Sequence, residues 1–347
     1  MNKRIKKTIS CSDINYTRID ETKVHTYTPK MGDVALFEVI EIGKHKTVQG
    51  PSKRLVTILE GDFILAAFAN RYATAQFEGY VPDQPTEIVE ILGAGGAIGL
   101  VKSKNASFDH IEATKLRLIG YASDEKGEVV NTIYFNKTRS KFRGEVPNNA
   151  KVILSIGSTM DSGKTTTAAF LAKGLKTTGK KVAFIKLTGT CYTKDKDLVY
   201  DCGADVSIDF IDAGYPSTFK VSKPDLLDLY QTLLDQLAIE KPDYIVMEIA
   251  DGLVQLETEF LLREKTFMDT IYKIVFSAGD SLAAFWGISF LKELGHETSM
   301  IAGRFTMSPL LIQEVEDRID IPVMTLDKLM NSEVVNIIEN SADFVKN

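Results

Sequence analysis

The chain has 347 residues, 44% hydrophobic and 25% charged, the composition of an ordinary globular protein with room for two cores. Its net charge of −6 is unevenly divided: residues 1–150 carry 21 Lys+Arg against 18 Asp+Glu, a net of +3, and residues 151–347 a net of −9. No run approaches the ~18 apolar residues of a membrane span, the start MNKRIKKTIS lacks the apolar stretch of a secretory signal, and Cys11, Cys191, Cys202 and four histidines offer no zinc or iron–sulfur spacing; a cytoplasmic protein is expected.

Residues 1–30 show no sustained period and read as an N-terminal arm, with Lys3, Arg4, Lys6 and Lys7 a solvated basic tip. From 31 to 145 the pattern is that of a β-rich barrel or sandwich domain. Its expected strands are Val34–Ile42, Arg54–Glu60, Phe63–Asn70, Ala73–Val81, Glu87–Leu92, Ala97–Val101, Lys115–Ala122 and Val129–Phe135. The cluster Gly93-Ala94-Gly95-Gly96 resembles a phosphate loop, but a strand rather than a helix follows it, so it reads as a turn. Asn136–Asn149, with Pro147, reads as a linker.

Beyond it, from about residue 150 to 347, strands alternate with helices, the rhythm of a mainly parallel α/β sheet flanked by helices. Expected strands are Val152–Ile156, Val182–Lys186, Tyr244–Glu248, Lys273–Ser277, Ser299–Ala302 and Val323–Leu326. Expected helices are Gly163–Thr178, Pro224–Glu240, Glu257–Phe267, Ser281–Leu294, Ser308–Ile319 and Ser332–Glu339. Ligands of such sheets sit beyond the carboxyl ends of the strands.

The first of these strands runs through Gly157 into Ser158-Thr159-Met160-Asp161-Ser162-Gly163-Lys164-Thr165-Thr166 and then a helix: strand, phosphate-sized loop, helix. Relative to GxxxxGK[ST], the first glycine sits one residue early, at Gly157, and Ser158 occupies its usual place. Backbone amides of such a loop and the helix dipole meet phosphate charge, and Gly163 lets the chain approach it closely. Lys164 would bridge the β- and γ-phosphates, the Thr165 hydroxyl would ligate Mg²⁺, and Thr166 would reach the α-phosphate.

Lys186, Thr188 and Thr190 follow the second strand and are placed at the same sheet edge; Lys186 is a candidate anion contact. Glu248 follows four apolar residues and emerges where a Mg²⁺ contact is useful, while Asp251-Gly252 reads as a turn. Of Asp205, Asp209 and Asp212, Asp209 is the candidate to complete a Mg²⁺ shell. Asp280 reads as the cap of the helix that begins at Ser281 rather than as a guanine reader, and no NKxD-like motif fixes the base, so ATP is the default. Phe305, Met307 and Pro309 could wall a base or pack in the core.

With five residues between its glycines, G-S-T-M-D-S-G-K-T-T resembles the loop of the dethiobiotin synthetase-like class of P-loop proteins. That class includes molybdopterin-guanine dinucleotide biosynthesis protein B and uncharacterised P-loop families. The resemblance covers residues 150–330 and includes a lysine after the second strand, matched by Lys186. Glu248 also matches, although Ile249-Ala250-Asp251 intervenes before Gly252. It implies Mg²⁺ and ATP as cofactors and phosphoryl transfer to, or ATP-driven activation of, a small acidic molecule. Lys164 and Lys186 would stabilise the transferring group, Thr165 and Glu248 would hold the metal, and Asp161 would approach the acceptor. A nucleotide and a small-molecule substrate are the implied partners, with a homodimer left open and a membrane excluded. The alternative is a nucleotide-dependent switch whose β domain binds a macromolecular partner. A polynucleotide 5′-hydroxyl kinase ranks behind both, because such kinases carry an Asp where this chain has Lys186 and the acidic half argues against nucleic acid.

Overall fold

The structure, a computed structural model, describes residues 4–135 and 137–340; Lys3 of the basic tip, Asn136 of the expected linker and the last residues, 341–347, lie outside them. Its contacts divide the chain into two units. Of the described residues, the first comprises those up to Thr138 with two later segments, Gly189–Thr193 and Phe210–Val221; the second comprises the rest. The expected boundary near 145–150 is therefore crossed twice. Both returning segments leave the carboxyl ends of strands that belong to the second unit.

The first unit is built on strands β1 (Ile5–Lys7), β2 (Arg18–Asp20), β3 (Val34–Glu41), β4 (Thr47–Gln49), β5 (Leu55–Thr57), β6 (Phe63–Phe68), β7 (Phe77–Tyr80), β8 (Ile88–Gly93), β9 (Ala97–Lys104) and β10 (Lys115–Ser123). Strand β3 pairs antiparallel with β6 and β10, β10 with β8, and β8 with β9. A parallel pairing of β9 with β6 closes the ring, so the expected barrel-or-sandwich is a five-stranded barrel. Alternation along β3 sends Ala35, Phe37 and Val39 into the barrel core with Ile64, Phe68, Ile91, Ile98 and Leu118.

The opposite face of the same strands is apolar too. Val34, Leu65, Ala67 and Ala122 point outward and are covered by Cys11 and Ile14. That is why residues 1–30 do not form the expected arm: β1 pairs with β6, β2 pairs with β10, and the segment between them roofs the outer face. Lys6 of the basic tip pairs with Asp62, and Lys7 donates to the Ile14 carbonyl at 2.8 Å. The expected strand Val129–Phe135 is reduced to isolated bridges at Val129 and Asn131.

The second unit contains β11 (Lys151–Gly157), β12 (Val182–Lys186), β13 (Val206–Asp209), β14 (Tyr244–Glu248), β15 (Ile271–Ser277) and β16 (Thr298–Ala302). They form one parallel sheet in the order β13-β12-β14-β11-β15-β16. Its helices are α1 (Lys164–Lys176), α2 (Lys194–Asp201), α3 (Lys223–Leu237), α4 (Leu256–Arg263), α5 (Lys265–Met268), α6 (Ser281–Glu293), α7 (Pro309–Glu316), α8 (Leu326–Leu329) and α9 (Glu333–Asn340). Among the described residues, none is long and apolar enough to cross a membrane.

Three expectations change here. Val323–Leu326 makes only a bridge to Ile301, whereas β13 and the charged helix α2 form unforeseen. The expected linker is ordered against α3 by alternating cations: Arg139 reaches Asp225, Lys141 reaches Asp228 and Arg143 reaches Asp235. Asp280 caps α6, accepting from the Ala283 amide at 2.8 Å.

Candidate nucleotide phosphate site

Strand β11 is central in its sheet, and its last residue, Gly157, leads directly into the loop that precedes α1. The Ser158 amide donates to the Ser277 carbonyl at 2.9 Å, and the Arg304 amide to the Ser162 carbonyl at 3.0 Å, so the ends of β15 and β16 buttress the loop. Asp161 turns the loop at φ +61° and is exposed, and Gly163 enters the helix at φ +99°. No side chain caps α1. Its first-turn amides have no partner within the helix and gather with those of the loop at the positive end of the helix dipole, with Thr165 and Thr166 half-buried beside it.

Lys164 is buried, and its ammonium folds back to donate to the Thr159 carbonyl at 2.7 Å. Burial pushes it below the ordinary lysine range; Glu248 and Asp251 oppose that shift and Lys186 adds to it. The Thr165 hydroxyl donates to Glu248 Oε1 at 3.0 Å. The other Glu248 oxygen, Oε2, is buried with no hydrogen-bond partner. Burial raises the Glu248 carboxyl above the usual carboxylate range; Asp195 adds to this, while Lys186, Lys164 and the Thr165 hydroxyl pull the other way.

Register explains how Glu248 and Lys186 meet. Asp209, Lys186, Glu248 and Ser155 are in-register neighbours across β13, β12, β14 and β11, so their side chains leave the same face at the carboxyl edge. Lys186 Nζ lies 3.7 Å from Glu248 Oε1 and also pairs with Asp195 at the start of α2. Burial alone would depress this lysine, but the Glu248 and Asp195 carboxylates overcome it and hold it above its ordinary value. Asp209 is buried two strands from Glu248, with Lys196 Nζ 3.2 Å from its Oδ1.

The sequence candidates thus separate into groups. Gly157, Ser158, Asp161, Ser162, Gly163, Lys164, Thr165 and Thr166 share the loop; Lys186 and Glu248 flank it, and Asp209 ends the row in an ion pair. Thr190, expected at this edge, instead bridges Ser217 within the first unit. Of the base-wall candidates, Phe305 is core, whereas Met307 is 84% exposed. Asp205 pairs with Lys176 at 2.7 Å. Asp195 and Lys196 were missed, because KDKD in an unrecognised polar helix reads as solvated charge; its alternating signs were the available signal.

A magnesium ion fits these residues. Among the described residues no three His, Cys, Asp or Glu gather to hold a metal by themselves, but Mg²⁺ on a nucleotide takes most of its ligands from phosphate and water. The Thr165 hydroxyl and the orphaned Glu248 oxygen are the protein groups that would hold it. Bound there, the ion would neutralise charge on the β- and γ-phosphates.

No family model and no curated protein matches the chain. Among solved structures it is similar to the signal recognition particle receptor FtsY of Elizabethkingia anophelis in complex with GDP. The match has 14% identity and a TM-score of 0.36, over 57% of this chain and 65% of that one. It is also similar to the cell division protein FtsY of Thermotoga maritima, with 16% identity and a TM-score of 0.35 over 60% and 73%. A third is the 54 kDa signal recognition particle protein of Aeropyrum pernix in complex with GDP, with 17% identity and a TM-score of 0.37 over 57% and 48%. The chain spans less than two thirds of the length of the first and third. The fold class rests on the strand–loop–helix and parallel sheet described above: the second unit is a parallel α/β sheet flanked by helices, with a strand–loop–helix of phosphate-loop form at its centre, preceded by a β-rich unit.

Proposed function

We propose that the chain binds a nucleoside triphosphate with Mg²⁺ at the 157–166 loop and cleaves its terminal phosphate bond. One observation carries this reading: the buried Lys164 ammonium, the Thr165 hydroxyl and the unpartnered Glu248 oxygen converge beside an uncapped helix N-terminus. Positioning and charge stabilisation would supply the catalysis. Lys164 and Lys186 would meet phosphate charge, and the exposed Asp161 would face whatever accepts the group.

Two outcomes of cleavage are distinguished by particular residues. Transfer to, or activation of, a small acidic molecule is supported by the Lys186 ammonium at the sheet edge, although two carboxylates already neutralise it. A nucleotide switch is supported by the course of the chain. The strands that end at Lys186 and Asp209 run on into 189–193 and 210–221, which pack within the β-rich unit. There, Thr193 and Gln49 exchange two hydrogen bonds of 3.0 and 2.9 Å. The switch reading is the better supported. ATP stays the default nucleotide, and Asp280, spent on its helix cap, does not argue for guanine.

Thermal melting with ATP, GTP and their diphosphates, with and without Mg²⁺, tests both base and metal, because a ligand of the folded state raises the melting temperature by mass action. The triphosphate shift is expected to grow with Mg²⁺, and Glu248→Gln is expected to reduce it to the Mg²⁺-free level. Stabilisation by none of the nucleotides would end the reading. Acceleration of turnover by a small carboxylic acid rather than by a macromolecule would favour transfer over the switch.

A further inference from the structure

We infer that Asp195 is a positioning residue that shares Lys186 with Glu248 and limits that lysine's hold on Glu248 to a 3.7 Å pairing with Oε1, leaving Oε2 to the metal; this rests on the nucleotide reading above. Asp195 and Lys196 are consecutive in the first turn of α2, so their side chains diverge by about 100° around the helix. Asp195 meets Lys186 at the end of β12, and Lys196 meets Asp209 at the end of β13. Lys186 and Asp209 are themselves in-register neighbours. One helical turn therefore grips two adjacent strand ends with charges of opposite sign.

The metal site depends on this grip. The charged groups around Lys186 include Asp195 from α2, Glu248 from β14 and Asp251 just after it, with Asp209 in register on β13, itself paired by Lys196, and the like-charged Lys164 from α1. Lys186 and Glu248 are both buried, whereas the Asp195 side chain is one-third exposed. A buried ammonium must keep a counter-charge. With Asp195 present, Lys186 is paired both from the α2 side and, at 3.7 Å, by Glu248 Oε1, while Glu248 Oε2 keeps no protein hydrogen-bond partner. Without Asp195, Glu248 becomes the carboxylate nearest the ammonium, and Mg²⁺ has to compete with Lys186 for it. Asp195 acts through Lys186.

The test is the affinity of full-length protein for ATP and GTP, measured in MgCl₂ and in EDTA, for wild type and Asp195→Asn. Removing one negative charge is expected to tighten Mg²⁺-free binding about threefold to tenfold, while the enhancement by Mg²⁺ shrinks about tenfold. A merely structural residue would weaken both affinities together and lower the melting temperature. Asp195→Glu is expected to restore the wild-type ratio, and in a Lys186→Met background Asp195→Asn is expected to leave the ratio unmoved. An unchanged Mg²⁺ ratio in Asp195→Asn, with wild type binding normally, overturns this inference alone. Failure of wild type to bind either nucleotide overturns it together with the reading on which it rests.

Discussion

Lys164→Met is expected to lower nucleotide-dependent turnover by about 10³-fold, the scale on which removal of one preorganised charge-stabilising group acts, without loss of fold. The substitution keeps most of the apolar stem of a buried side chain and deletes an ammonium that, without phosphate, has a loop carbonyl as its hydrogen-bond acceptor. Stability should move in the opposite direction to activity. Because the folded-state pKa of Lys164 is depressed, charging it opposes folding: the penalty is full below the depressed folded-state value and fades as pH rises from there to the ordinary lysine value. At neutral pH the ligand-free variant should therefore melt at or above the wild-type temperature, while the nucleotide-induced rise disappears. The wild-type affinity should also decline on the alkaline side earlier than an ordinary lysine would dictate, a limb the Met variant lacks. Turnover that survives the substitution would remove Lys164 from the mechanism and with it the phosphate reading of the loop.

Much of this site could be read from the sequence because its parts are local. Loop and helix start lie in one stretch of ten residues, and Lys186 and Glu248 end strands whose apolar runs mark their limits, Val182–Lys186 and Tyr244–Glu248, without ambiguity. What could not be read depends on register and on distant partners. That Asp209, Lys186 and Glu248 form one row follows from the strand order β13-β12-β14, which periodicity does not encode. Strand β13, four residues with only Asp209 buried, lacks an apolar signature. The arm failed as a reading for a related reason: its short strands have no period of their own and are ordered by the outward apolar face of β3 and β6.

The two segments that cross back into the β-rich unit were hidden in the same way, although one trace was present. The Gly93–Gly96 cluster, read as a turn, is a seat for Cys191: a Cβ at Gly95 would stand 1.7 Å from the Cys191 carbonyl oxygen. Cys191 completes a small core with Ala69, Leu92 and Ala97. The glycines thus record a close approach by a chain segment almost a hundred positions away, a constraint that no local window contains.

The displaced first glycine of the loop yields the second large effect. A Cβ at Gly157 would stand 2.2 Å from Ser162 Oγ, 2.7 Å from Lys164 Cγ and 2.9 Å from the Ser277 carbonyl oxygen. Two of these atoms belong to the loop and the lysine that would hold phosphate, and the third is the neighbouring strand's backbone. Gly157→Ala is therefore expected to cost about 2–3 kcal/mol of stability through overpacking and to weaken nucleotide binding about 100-fold by displacing the Lys164 stem. Ser158→Gly creates no such clash. Its cost should stay near the 0.5–1 kcal/mol of added chain entropy, with nucleotide affinity close to wild type, because the Ser158 backbone amide, which anchors the loop to Ser277, is retained. Chemical denaturation and nucleotide titration of the two variants side by side check the contrast. Equal tolerance at both positions would show that the loop does not require its glycine at the strand end; failure at 157 alone would tie the unusual spacing to the packing of Ser162 and Lys164 beneath the phosphate.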